Sequence, residues 1–157
     1  MRYYLWVLPN PTHAAKLAAQ IRDLSRIYRT PLFIPHITVA SGNQPYRFSS
    51  FDAPKVRLLP VETKNEEKQA LYYPVSLTPN LLAIQTFYAP HKRYYTPHLS
   101  LIYGTFSVAR RAEWKQKCPV YTEEILFRHL CLVQGDADVN NWKILETWEL
   151  PHNDKTY

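Results

Sequence analysis

Pro35-His36-Ile37-Thr38-Val39 and Pro97-His98-Leu99-Ser100-Leu101 stand sixty-two positions apart and share one build: proline, histidine, aliphatic, hydroxyl, aliphatic. A proline at the first position suits the start of a strand, where its missing N–H takes nothing from the ladder. Side chains two apart on a strand share a face. His36 and Thr38 therefore point one way while Ile37 and Val39 enter a core, and His98 with Ser100 repeats the arrangement. A lone copy would most simply be a hydrogen-bonded core histidine. Of the six histidines, only these two have Ser or Thr two positions on. One such pentapeptide arises by chance in roughly one chain in several hundred of this length, and two far more rarely. The doubling points to two strands brought together for chemistry.

The rest of the chain reads as scaffold for them. Its 157 residues, 46% apolar, fit one domain or two small lobes fused into one unit, residues 1–157 throughout. Cys118 and Cys131 have no metal-like spacing, and Met1-Arg2-Tyr3-Tyr4 does not begin an export signal, so a reducing cytoplasm is expected. No apolar run approaches the roughly 18 residues of a membrane span. A net charge of +6, twelve tyrosines and four tryptophans suit phosphate-bearing, stacking ligands such as nucleotides or RNA. The basic residues are dispersed, and each one singly is explained by a solvated helix face.

Residues 2–8 are aromatic and β-favouring, which predicts a first strand. Asn10 then caps a helix over 12–28, with Pro11 in its first turn and Ala14, Leu17, Ala18, Ile21, Leu24 and Tyr28 along one face. Thr30-Pro31 stops it before the first histidine strand, which Gly42 ends. Residues 43–54 read as a loop, 55–61 as an edge strand interrupted by Pro60, and Thr63 to Lys68 as an exposed charged turn without function. A strand over 70–77 follows. Thr78-Pro79 then repeats the cap-and-proline start, opening a shorter helix with Leu81, Leu82, Gln85 and Tyr88. The order strand, capped helix, Pro-His strand thus occurs twice, predicting two lobes related by an approximate two-fold. A basic helix over 107–117, a strand over 124–133, a turn at 135–138 and a last strand over 142–150 complete an α+β chain of about seven strands and three helices.

Side by side, the two histidine strands would present two imidazoles and two hydroxyls to one cleft. Histidine gives or takes a proton near neutral pH. One neutral ring can deprotonate an attacking water while a charged one protonates the departing oxygen. Thr38 and Ser100 would donate hydrogen bonds to the phosphate oxygens that gain charge as phosphorus becomes five-coordinate. Neither a metal nor a cofactor is needed.

With Ile102-Tyr103 added to the second, these two motifs resemble the paired signatures of the 2H phosphoesterase superfamily. Within it the chain is most similar to the cyclic phosphodiesterase branch, through Leu5-Trp6-Val7-Leu8-Pro9, both histidine strands, and Trp142 with Glu146-Thr147-Trp148. The resemblance implies a bilobal fold of two antiparallel-sheet lobes with outer helices and a central cleft. It implies hydrolysis of 2',3'-cyclic nucleotides to 2'-phosphates and of ADP-ribose 1'',2''-cyclic phosphate, a by-product route of tRNA splicing, by a monomer. It places catalysis on His36 and His98, phosphate binding on Thr38 and Ser100, and substrate contacts on Tyr103 and Trp6. For the last two, ordinary core packing is the competing explanation. His98 as base and His36 as acid follows the likeness, and the reverse assignment stays open. Two departures bear on substrate: the helix that the family usually places between the first histidine strand and the next is missing from 43–54, and Glu66-Glu67-Lys68-Gln69 replaces an aromatic run.

Other readings remain. A 2H enzyme could open a 2'-5' linkage or trim RNA ends, with Arg26, Arg29, Lys92 and Arg93 as part of a basic track. A binding module could hold RNA or a nucleotide without turnover, although binding alone has no need of two proton carriers. A zinc site lacks an obvious third ligand.

Overall fold

The computed structural model describes residues 1–152, so the last five positions of the expected 1–157 unit lie outside the described residues. It contains seven strands and three helices in the order β1 (Arg2–Pro9), α1 (Pro11–Tyr28), β2 (Ile37–Gly42), β3 (Lys55–Val56), β4 (Leu71–Pro74), α2 (Pro79–Tyr88), β5 (His98–Ile102), α3 (Val108–Lys117), β6 (Ile125–Gly135) and β7 (Lys143–Glu149). Every strand pair is antiparallel. The sheet runs β3-β6-β1-β2-β5-β4, with β7 on the same edge of β6 as β3. Two half-sheets, β7-β6-β1-β2 and β5-β4, are joined by the single register pair Ile37↔Leu99. The expected lobes therefore meet at the two aliphatic residues that follow the histidines.

Alternation along β1 separates the two faces. Leu5 and Val7 are fully buried in the main core with Leu17 and Ile21 of α1, and each such side chain contributes roughly 1.5–3 kcal/mol. Tyr4 and Trp6 lie on the opposite face, in a second cluster with Cys131 and Val133. The helices cross over: α1 packs chiefly against β5 and α2 against β2, so each half covers the other's histidine strand. Trp114 anchors α3 edge-on to Tyr28 and Phe106.

The caps follow sequence chemistry with one exception. Asn10 Oδ1 accepts from the His13 amide at 3.0 Å, and Ser107 Oγ from the Arg110 amide at 3.2 Å. Thr78 occupies the cap position of α2 but caps nothing, and its hydroxyl is buried without a partner. The expected edge strand over 55–61 is also divided. β3 pairs with β6, whereas Leu58 and Glu62 bridge to Val75 and Tyr72 on the β4 side. The change of partner falls between Val56 and Leu58, and Pro60, which lacks the N–H that a continuous ladder requires, stands between the two isolated bridges on the β4 side. Residues 43–54 form the expected loop. It is held by Tyr88, whose hydroxyl donates to Arg47 O at 2.8 Å and accepts from the Ser49 amide at 2.9 Å. Among the described residues no helix is long and apolar enough to cross a membrane.

Candidate active site

The junction pair sets the site. On antiparallel strands paired at Ile37↔Leu99, the flanking positions put His36 beside Ser100 and Thr38 beside His98, all four on one face. Facing residues on such strands stand about 5 Å apart at Cβ and diagonal ones about 7–8 Å. The two imidazoles are diagonal neighbours across the junction, close enough for the charge of His98 to act on His36. Ile37 and Leu99, pointing the other way, are fully buried.

Both rings are tethered alike. His36 Nδ1 donates to Ile34 O at 2.6 Å and His98 Nδ1 to Thr96 O at 3.2 Å, each to the carbonyl two residues upstream. A carbonyl only accepts, so Nδ1 carries the proton and Nε2 is left for chemistry in both rings. The pseudo-two-fold thus reaches the tautomers.

Their surroundings differ, and so does their protonation. His36 is 5% exposed, and Trp6 stacks on it with ring centres 3.6 Å apart and planes 13° apart. Phe33 and Trp142 meet its edge at 6.2 and 5.8 Å. Burial pulls its pKa down to about 3, opposed by the Ile34 bond and helped by the charge of His98. His36 is therefore neutral in the free protein at physiological pH. His98 is half-buried and meets Tyr72 edge-on at 5.6 Å. Its pKa is also lowered, first by burial and then by Lys64 and Lys92, while the Thr96 bond and Glu66 hold it up.

The hydroxyls are placed unequally. Thr38 is half-buried and lines a cavity of about 380 Å³ with His98. Its carbonyl accepts from the Tyr95 hydroxyl at 2.9 Å, a tie between the two halves. Ser100 is 3% exposed, donates to Lys68 O at 2.9 Å and hydrogen-bonds Tyr103. To donate to a phosphate it must release Lys68. Tyr103 is buried against Phe33 and Trp142, with ring centres 4.4 and 5.5 Å away. Trp6 supports His36 from beneath and also forms part of a cavity of about 250 Å³ with Phe33, Asn140, Trp142 and Ile144.

Sequence reasoning missed the cover over Ser100. The charged run given no function forms a short 3-10 turn, Glu67–Gln69, whose carbonyls accept from Ser100 and from the Gly104 amide. It also sets Lys64 over Tyr72 and Lys68 over Tyr4, 5.9 and 5.8 Å from the ring centres. Its polar sequence carries no periodicity that could announce these contacts. Phe33 was readable only as an aromatic residue near a motif, and Trp142 as part of the family likeness, without its place at the edge of His36. Among the described residues no three His, Cys, Asp or Glu side chains cluster as metal ligands would.

No protein-family profile and no curated protein matches this chain. Solved structures do. TT0787 of Thermus thermophilus superposes with a TM-score of 0.62 at 14% identity, covering 98% of this chain and all of that one. E. coli LigT complexed with phosphate gives 0.62 at 11% identity over 95% and 96% of the two chains, and its complex with 3'-AMP gives 0.60 at 11% over the same shares. A structure described as a phosphoesterase gives 0.55 at 12% identity over 95% and 98%. Paired histidine strands meeting at one residue pair, within an antiparallel sheet whose helices cross between halves, give this chain the 2H phosphoesterase fold.

Proposed function

We propose that this protein is a metal-independent phosphodiester hydrolase that opens 2',3'-cyclic nucleotide phosphates to 2'-phosphates and accepts related cyclic phosphates such as that of ADP-ribose. The observation that carries the reading is the pair of imidazoles on one sheet face, each with Nδ1 tethered to a backbone carbonyl. LigT, of the same fold, has been crystallised with phosphate and with 3'-AMP, which supports a small phosphate ligand here. Both halves of the site come from one chain, consistent with a monomer. The free thiols of Cys118 and Cys131 fit a reducing cytoplasm.

From the environments of the two rings we assign the roles in the reverse order, the one the likeness left open. His36, neutral and buried, is the base: its Nε2 takes a proton from water as the water oxygen bonds to phosphorus. The stacked face of Trp6 attracts the imidazolium that forms. His98, more open, is protonated next to the phosphate anion and gives its Nε2 proton to the departing 3'-oxygen as the P–O3' bond breaks. Each turnover leaves His36 charged and His98 neutral, and exchange with solvent restores both. Thr38 stands beside His98 to donate to a non-bridging oxygen.

Initial rates on 2',3'-cyclic AMP with chelator present test this. His36→Ala and His98→Ala are each expected to lose ~10²-fold or more in kcat while staying folded. A folded wild-type protein inert toward every cyclic phosphate, or one silenced by chelator, would overturn it.

A further inference from the structure

β2 and β5 pair at one position and then part like the arms of a fork. β2 continues to Gly42 with its other edge on β1, so the edge that faced β5 loses its strand partner beyond the junction. The 380 Å³ cavity sits in this fork, and its polar lining consists of Thr38, Ser41, Gln69, Lys92, Thr96 and His98. No carboxylate lines it. Lys92 pairs with no acid among the described residues, and its charge is felt at His98. At the far end, Arg2 donates to Ser41 Oγ at 3.1 Å, bringing a second cation to the rim. Glu66 acts on His98 from the segment that also carries Lys64, whose charge opposes it there.

This lining does not suit a nucleobase. Its one aromatic residue, Tyr95, is partly packed against the main core and held by its hydroxyl on Thr38 O, so polar groups dominate the lining. Hydroxyls, an amide, strand-edge backbone groups without a strand partner and a cation instead suit sugar and phosphate oxygens. From Thr38 to Ser41 the strand rises about 10 Å, room for a ribose and a phosphate beyond the reacting one.

Resting on the proposed hydrolysis, we infer that the fork is a second phosphate subsite, with Lys92 as its specificity-determining cation. The preferred substrate carries a further phosphate one sugar away from its cyclic phosphate. A 5'-phosphorylated nucleotide or the last phosphodiester of an RNA end supplies that group.

The test compares kcat/KM on 2',3'-cyclic AMP, on its 5'-phosphorylated form and on a dinucleotide ending in a 2',3'-cyclic phosphate. Calorimetric affinities for adenosine 2'-phosphate and adenosine 2',5'-bisphosphate accompany it. The second phosphate is expected to gain about tenfold or more at low salt and less as salt rises. Lys92→Gln should bring the ratio to within about twofold of unity, and Lys92→Arg should keep it. A larger gain with the dinucleotide than with the 5'-phosphate identifies an RNA end, and the reverse order identifies a mononucleotide. Equal affinity for the two adenosine phosphates, or a preference that survives Lys92→Gln, overturns the subsite. The affinities decide this even if no cyclic phosphate is turned over, an outcome that overturns the hydrolase reading separately.

Discussion

His36 should make this protein acid-labile by an amount that can be worked out. Its pKa is about 3 in the folded chain, against the ordinary histidine value of about 6.5 that it regains on unfolding. Between those values the unfolded state binds a proton that the folded state refuses, so stability rises with pH through the window and falls on acidification. Linkage gives a loss from this one group of about 2 kcal/mol at about pH 5 and about 3 kcal/mol at about pH 4, relative to neutral pH. Acidification acts on the rest of the protein too, so the quantity to measure is a difference. Urea unfolding of wild type and His36→Asn across this range should show the wild type losing about 2–3 kcal/mol more on acidification, whatever the offset between the two at neutral pH. Parallel pH profiles for the two proteins would refute the buried, neutral His36 on which the base assignment stands.

The pH dependence of kcat/KM should be bell-shaped in the free enzyme, its acid limb set by His36 and its basic limb by His98, whose pKa lies below the usual histidine value. The basic limb of kcat should lie higher, because bound phosphate favours protonated His98, and coincident limbs in the two profiles would contradict this. Gly135→Ala would set a Cβ 2.3 Å from Trp142 Cδ1, so it should cost about 1–3 kcal/mol in urea unfolding and lower kcat by displacing the ring at the edge of His36. Tyr95→Phe removes the bond to Thr38 O across the fork, and steady-state rates should fall in kcat more than in 1/KM; an unchanged kcat would show that the tie does not position Thr38.

The helix-bearing frame was legible because its signals are local. Leu17 and Ile21 fall at helical spacing and are buried as expected, and Asn10 caps as its side chain predicts. The meeting of His36 and His98 was legible for a different reason: a pentapeptide repeated with its proline, hydroxyl and aliphatic places intact constrains the face of both strands at once. The unequal halves of the site were not legible. Whether His36 or His98 is the drier depends on Trp6 and Trp142 arriving from β1 and from the turn before β7. Ser100 is covered by Lys68, thirty-two positions earlier, through a backbone carbonyl that any residue could supply. Division of the 55–61 segment depended on which neighbour lay within reach before and after Arg57, β6 for Lys55 and Val56 and the β4 side from Leu58 on, a tertiary choice.

Phosphorus NMR of 2',3'-cyclic AMP incubated with the wild-type protein tests the central reading most directly. The cyclic-phosphate resonance should give way to that of the 2'-monophosphate, and His36→Ala or His98→Ala should leave it essentially unconverted over the same time. An unchanged cyclic resonance with folded wild type, or conversion by either alanine variant as fast as by wild type, would contradict catalysis by the paired imidazoles.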